Sequence, residues 1–281
     1  VGCCFGAPDG PRTAQAVVWR VSDPGCTEHV SQSIGMVNQA LAHDGFTVFP
    51  HDPRVADWSK AAHGICNEVL RGDGERRHGR TWFVGVDALP NKPDGSIAGV
   101  PLAGQWLQHV TAPRIWHAAQ LSVVFPGYPQ QDDDESDAAH RFRRNRDAAH
   151  VDGLLPEGPQ RRRHLREPHG FIAGLPLNDI AASPLVVWQG SHRIMRAAFA
   201  RFYMAHDPEN WGDLDVTEVY QSARREVFET CNRVPLAAKA GQVLLLDRHL
   251  VHGVSPWDAK IAGDMRMVAY FRPQIAVADW L

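Results

Sequence analysis

A histidine and an aspartate stand two residues apart in His150-Val151-Asp152, and His252 follows one hundred residues after the aspartate. Side chains alternate along an extended segment, so positions i and i+2 face one way, and one imidazole and one carboxylate can grip a single ion. The apolar run Leu244-Leu245-Leu246 leads through Asp247 toward His252-Gly253, so a strand delivers a second imidazole at its end. Two imidazoles and a carboxylate on one face of a metal leave the opposite face open. That donor set suits non-haem Fe(II), with free positions for a bidentate keto acid and for O2.

A keto acid with a second carboxylate needs a cation for its far end. Arg266 lies fourteen residues after His252 and opens the apolar strand Met267-Val268-Ala269-Tyr270-Phe271. A guanidinium pointing inward there can hold a carboxylate through two parallel hydrogen bonds. Arg272 shares its parity on the strand, but it stands just before Pro273 at the strand end, so Arg266 is the expected anchor. A lone His-x-Asp is a weak signal in a chain with 15 histidines. The distal histidine and the following arginine strengthen it.

The remaining histidines and tryptophans have blander readings. His192, in Gly190-Ser191-His192 ahead of a helix, suits a cap or a hydrogen-bonded turn. His249 faces away from His252 if the segment is extended. His169 could face either way. Trp82, Trp188 and Trp257 are core residues by default.

These side chains need a frame. Val30, Ile34, Val37 and Leu41 mark an amphipathic helix over 28–44, with Thr27 as its cap and Gly45 as its stop. Phe46-Thr47-Val48-Phe49 reads as a strand ended by Pro50. A second helix is predicted over 58–70. Residues 82–104, rich in Gly and Pro, read as loop with short strands. Beyond 119, strands are predicted over 121–125, 171–177, 185–188, 243–246 and 266–271, with a helix over 194–203. Helices first and then many short strands predict a mainly β fold with helices packed outside. The expected layout is one domain over 1–281, with a helical part to about 75 and a β core over about 115–275. A charged loop or lid spans about 130–168.

Length and composition fit a globular chain. It has 281 residues, 44% hydrophobic and 22% charged. The net charge of −3 provides no basic field for nucleic acid and no polybasic membrane anchor. No apolar run is long enough to span a bilayer. The first ten residues lack the layout of a secretory signal. Five cysteines, an odd number with no Cys-x-x-Cys pair, fit a reducing cytoplasm better than a disulfide framework. Two basic clusters, Arg141 to Arg146 and Arg161 to Arg166, read as solvated loops or as partners for an anionic or carboxylated small molecule. The sequence does not give an oligomeric state.

Together these residues resemble the phytanoyl-CoA dioxygenase family of Fe(II)/2-oxoglutarate oxygenases. The resemblance runs through Asp44-Gly45-Phe46-Thr47-Val48, the strand before Pro126-Gly127-Tyr128-Pro129, and His150-Val151-Asp152. It continues through Leu185-Val186-Val187-Trp188-Gln189-Gly190-Ser191-His192, Gly241-Gln242-Val243, His252-Gly253-Val254-Ser255-Pro256 and Arg266. It implies a double-stranded β-helix, a jelly roll of the cupin kind. It also implies iron held by His150, Asp152 and His252, with 2-oxoglutarate anchored by Arg266. Ser122 would make a second contact to the co-substrate. The implied reaction is oxidation of a small molecule, with release of succinate and CO2. Halogenases of this kind replace the carboxylate ligand by a small residue, so Asp152 favours hydroxylation or a related oxidation. The chain departs from the pattern at Ala148-Ala149 and Val151, and at Met267-Val268-Ala269 after the arginine. Two other readings are a non-oxidative cupin metalloenzyme and a non-catalytic binding protein on the same fold.

Overall fold

The central strands are apolar on both faces, which requires cover on each side. The computed structural model describes residues 38–72 and 74–281. The strands are β1 (Phe46–Phe49), β2 (Arg76–Arg77), β3 (Trp82–Leu89), β4 (Ala119–Val124), β5 (Leu154–Glu157) and β6 (Arg162–Leu165), followed by β7 (Phe171–Pro176), β8 (Leu185–Trp188), β9 (Arg233–Leu236), β10 (Val243–Asp247), β11 (His252–Val254) and β12 (Arg266–Phe271). The helices are α1 (Pro53–Val69), α2 (Asp137–Asn145), α3 (Ser191–Tyr203) and α4 (Thr217–Thr230).

A seven-stranded sheet has the order β1-β10-β7-β12-β4-β3-β2, and a three-stranded sheet has the order β11-β8-β9. An antiparallel bridge between His150 and His252 adds the His-x-Asp segment beside β11. From β4 onward the chain alternates between the sheets: β4, the 150 segment, β7, β8 and β9, β10, β11, β12. The strand pairings in both sheets are antiparallel. This winding is a double-stranded β-helix, the jelly roll that the sequence resemblance implies.

Alternation assigns each side chain to a layer. Ile172, Leu185, Val187, Leu244, Leu246 and Val268 meet between the sheets. Leu121, Ala173, Leu175, Val243, Leu245 and Met267 face outward and pack under Val55, Trp58, Ala62 and Cys66 of α1. Val186 and Trp188 face outward from the smaller sheet onto Met195, Phe199 and Tyr203 of α3 and Tyr220 and Val227 of α4. Each sheet thus has a helical cover and the interior between them is shared.

The helix predicted over 28–44 is seen over 38–44; its earlier residues, Thr27, Val30, Ile34 and Val37, lie outside the described residues, as do Cys3, Cys4 and Cys26. Gly45 ends it at φ +82°, and a Cβ there would strike His192 and Leu250. The second helix begins at Pro53 rather than at 58. The Asp52 carboxylate accepts a hydrogen bond from the Arg54 N–H at 3.0 Å and Pro53 supplies a preset first turn. Within 82–104, read as loop with short strands, β3 is an eight-residue strand that pairs with β4 around an irregularity between Gly85 and Leu89. The charged stretch 131–147, read as loop, contains α2. Ser136 caps it, Asp137 lies in its first turn and Arg143 and Arg144 lie in its last, all complementary to the helix dipole.

Gly253 lies where the turn before His150 crosses β11, and a Cβ there would run into the carbonyl of Asp147. Gly253→Ala is expected to lower stability by about 1–3 kcal/mol, the range for overpacking, and to weaken divalent-metal binding with it. Urea unfolding and metal titration check this; an unchanged midpoint would show that the turn can yield.

Candidate metal and co-substrate site

His150 and His252 are brought together by backbone. The His150 N–H donates to the His252 carbonyl at 2.8 Å, and the His252 N–H donates to the His150 carbonyl at 3.0 Å. Residues that exchange both bonds across an antiparallel pair sit directly opposite and project to the same face. The two rings lie 4.7 Å apart by centroid. Ala149 and Val151 point the other way, into the helix-covered layer, so Asp152 returns to the face of His150 as the spacing predicts.

Ring orientation is fixed as well. Nδ1–H of His150 donates to the Ala148 carbonyl at 3.0 Å, and Nδ1–H of His252 donates to the Leu250 carbonyl at 2.9 Å. With Nδ1 so engaged, each ring turns Nε2 inward, the nitrogen that a metal would take in place of a proton. Those nitrogens stand 3.1 Å and 3.7 Å from Oδ1 of Asp152. Ligands about 2.1 Å from an ion and at right angles stand about 3 Å apart; the three ligating atoms here all lie within 4.8 Å of one another. Among the described residues, these three form the only group of at least three His, Cys, Asp or Glu whose ligating atoms converge. Burial opposes the charge on Asp152, but His252, His150 and Arg272 outweigh it and hold the carboxyl well below its usual range. Burial also pushes His252 below the usual imidazole range, despite the opposing pull of Asp152.

Arg272 lies closer to the triad than its place beside Pro273 leads one to expect. Nη1 donates to Oδ2 of Asp152 at 3.3 Å, Nη2 donates to Gln120, and the backbone N–H donates to Nε2 of His117 at 2.8 Å. Arg266, at the other end of β12, is buried. Its Nη2 donates to the Tyr270 hydroxyl at 3.3 Å, while Nη1 is buried without a partner among the described residues. An orphaned guanidinium N–H inside a core is costly, and its chemistry fits a carboxylate.

Two cavities meet at the triad. The inner one, about 280 Å³, is walled by Trp82, Gln120, Ser122, Ile172, Tyr270 and Arg272. The Ser122 hydroxyl accepts from the Trp82 indole at 3.1 Å. The outer one, about 500 Å³, is walled by Phe142, Arg161, Arg163 and Arg224, among others. His150, Asp152, Leu155, Glu167 and Arg272 line both.

The other sequence candidates fall into place around this centre. His192 bonds to the Ala42 carbonyl at 3.1 Å and the Ser191 hydroxyl accepts from the Val251 N–H at 2.9 Å, both structural ties. His249 is buried against Trp280, with ring centroids 4.6 Å apart. His169 is buried 3.6 Å from Glu167. Trp82 lines the inner cavity, whereas Trp188 is core. Sequence reasoning passed over His117, Gln120 and Tyr270. Inward parity on β4 and β12, shared with Ser122 and Arg266, is the signal that identifies Gln120 and Tyr270.

No protein-family model matches the chain, and no curated protein sequence matches it. Among solved structures, it is loosely similar to the non-heme alpha ketoglutarate dependent carbocyclase SnoK from nogalamycin biosynthesis. The identity is 16% and the TM-score 0.47, over 85% of this chain and 87% of that one. The epimerase SnoN of the same biosynthesis is 13% identical with a TM-score of 0.45, over 86% and 82%. HygX from Streptomyces hygroscopicus, solved with nickel, 2-oxoglutarate and hygromycin B, is 18% identical with a TM-score of 0.44, over 84% and 85%. Likeness this loose decides nothing about the chemistry, which rests on the chain's own side chains.

Burial pushes His249 down to about 3, with Arg248, Arg196 and His192 adding to the effect. An unfolded histidine titrates near ~6.5. Between these values the unfolded chain binds the extra proton, so this contribution is fully present above pH ~6.5 and declines as pH falls, by up to ~1.4 kcal/mol per pH unit. The urea midpoint is expected to drop between pH ~7.5 and pH ~5, with a shallower drop in His249→Leu. Equal slopes would show that His249 titrates normally in the fold.

Proposed function

We propose that the chain is an Fe(II)- and 2-oxoglutarate-dependent oxygenase acting on a small molecule. The observation that carries this reading is the pairing of His150 and His252 across one antiparallel bridge, with their Nε2 atoms and Asp152 converging at the junction of two cavities. When bound, iron and 2-oxoglutarate would supply an oxidant derived from O2, with succinate and CO2 as co-products. His150, Asp152 and His252 would hold the metal through three neighbouring donors. Arg266, with its unpartnered Nη1, would receive the far carboxylate of the keto acid, and Tyr270 and Ser122 would line its path. Arg272 would keep Asp152 ionised and aligned through Oδ2.

The same reading takes the chain as one catalytic unit, with the charged segments forming the rim of the outer cavity. Among the described residues no helix is long and apolar enough to cross a membrane. Among the described residues Cys66 and Cys231 are free thiols; a cytoplasmic location is part of the proposal. The phytanoyl-CoA dioxygenase family remains the resemblance that the sequence supports. Asp152, in place of a small residue, favours hydroxylation over halogenation.

The test is anaerobic addition of Fe(II) and 2-oxoglutarate to metal-free protein, followed by visible spectroscopy for the weak charge-transfer band of a chelated keto acid. Wild type is expected to show the band and Asp152→Ala to lose it. Arg266→Ala is expected to need at least about thirtyfold more 2-oxoglutarate, corresponding to ~2 kcal/mol for an anchor removed from a buried charge pair. A folded wild type that binds metal but gives no band would overturn the oxygenase reading and favour a non-oxidative metalloenzyme.

A further inference from the structure

Three arginines of the two basic clusters are paired with carboxylates. Arg143 donates twice to Glu135, at 3.2 and 2.9 Å. Arg162 is paired with Asp215 and Glu218, and Arg166 with Glu157 and Asp213. Those three are structural fasteners. Arg163 is different: its Nη1 donates to the Leu154 carbonyl at 2.7 Å, and it has no carboxylate within ion-pair distance among the described residues. Arg224, from α4, is in the same position. Its Nη1 donates to the Ala149 carbonyl and the Tyr220 hydroxyl, both at 3.3 Å.

These two guanidiniums sit over one aromatic ring, 5.5 Å and 4.9 Å from the centroid of Tyr220. Carbonyls and a ring face orient a guanidinium but do not neutralise it. Two half-buried like charges around one ring repel each other, and burial, with Arg224 and Arg161 nearby, draws Arg163 below the usual arginine range. Their backbone ties are informative. Ala149 immediately precedes His150 and Leu154 follows Asp152 by two residues, so the two arginines bracket the ligand segment on its outer-cavity side. Arg161, in a left-handed turn at φ +52°, lines the same cavity from its rim. The carboxylates on this wall are Asp152, held by Arg272, and Glu167, which lies 3.6 Å from the imidazole of His169, a ring that burial pushes down to about 4.

We infer that the outer cavity seats an anionic group of the primary substrate, a carboxylate or a phosphate, held by Arg163 and Arg224 beside the metal triad. Each guanidinium offers further N–H donors after its backbone bond, and a tetrahedral or planar oxyanion can bridge the two. The inner cavity, which Tyr270 lines, is then left to the co-substrate. Phe142, held 4.7 Å from the Arg224 guanidinium, lines the same cavity and offers an apolar surface for the remainder of the molecule. This inference rests on the oxygenase reading only in calling the bound anion a substrate.

The probes are phenyl phosphate, benzoate and the neutral benzamide, titrated calorimetrically at constant ionic strength into the full chain loaded with Ni(II) and 2-oxoglutarate. Wild type is expected to bind at least one of the two anions at least tenfold more tightly than benzamide. The Arg163→Gln/Arg224→Gln double variant is expected to lose that preference. Arg163→Lys, which keeps the charge but loses the planar fork, is expected to retain an intermediate preference and guards against misfolding of the double variant. Equal binding of benzamide, no binding of either anion, or an undiminished preference in the double variant would overturn the inference. The anaerobic chelate band, measured on wild type, is independent of these titrations. A missing band with intact anion preference defeats the oxygenase reading alone, and a band without anion preference defeats this inference alone.

Discussion

The reciprocal pair of backbone hydrogen bonds between His150 and His252 is the constraint on which the rest of the site depends. It makes two residues distant in sequence direct cross-strand neighbours, and antiparallel geometry then sends both imidazoles to one face. Everything near the pair protects that register. Asp147, buried and held by both nitrogens of the Arg233 fork at 2.7 Å, fixes the turn that leads into it. The Asp147 carbonyl accepts from the Val254 N–H at 2.9 Å. Arg233 is exposed, so its loss would leave the buried Asp147 carboxylate uncompensated, and the turn is held by more than chain connectivity.

The second organising feature is the separation of charge around the triad. Polar side chains between the sheets gather on the neighbouring strands β4 and β12: Gln120 and Ser122 on the first, Arg266 and Tyr270 on the second, with Arg272 just beyond its end. Outside the triad, α4 and the β5–β6 hairpin bring Arg224 and Arg163 to a more open wall. A buried carboxylate that is ionised, as Asp152 is, sits between two positive regions. That layout lowers the cost of bringing anions toward a site that already contains a negative ligand.

Much of this was legible in the sequence, for identifiable reasons. The shared face of His150 and Asp152 at i and i+2 follows from the period of two in an extended segment, and no tertiary knowledge is needed. The apolar runs of β7, β8, β10 and β12 read as strands because they are buried on both faces. Periodicity places the start of α1 at 58, where its apolar stripe begins, whereas the helix starts five residues earlier at Pro53, behind the Asp52 cap. α4 carries Thr217, Tyr220, Ala223 and Val227 on one stripe, yet charged neighbours such as Arg224 and Arg225 obscure it. Arg272 could not be judged from its neighbour Pro273. Its place depends on where β4 presents Gln120 and where His117 accepts its N–H, which are facts of pairing. Likewise, composition alone could not separate fastened arginines from free ones, since their carboxylate partners come mostly from other elements.

The contact between Arg272 and Asp152 has a consequence for denticity. With Oδ2 engaged by a guanidinium that is itself braced by Gln120 and His117, Asp152 presents a single oxygen, Oδ1, toward the two imidazoles. A carboxylate free to swing could offer both oxygens and take up one more position on an octahedral ion. Here that second bite would be blocked from behind, so a metal held at this site would meet one oxygen of Asp152 beside the two imidazoles. The arginine would thereby limit how much of such a metal the protein itself could occupy.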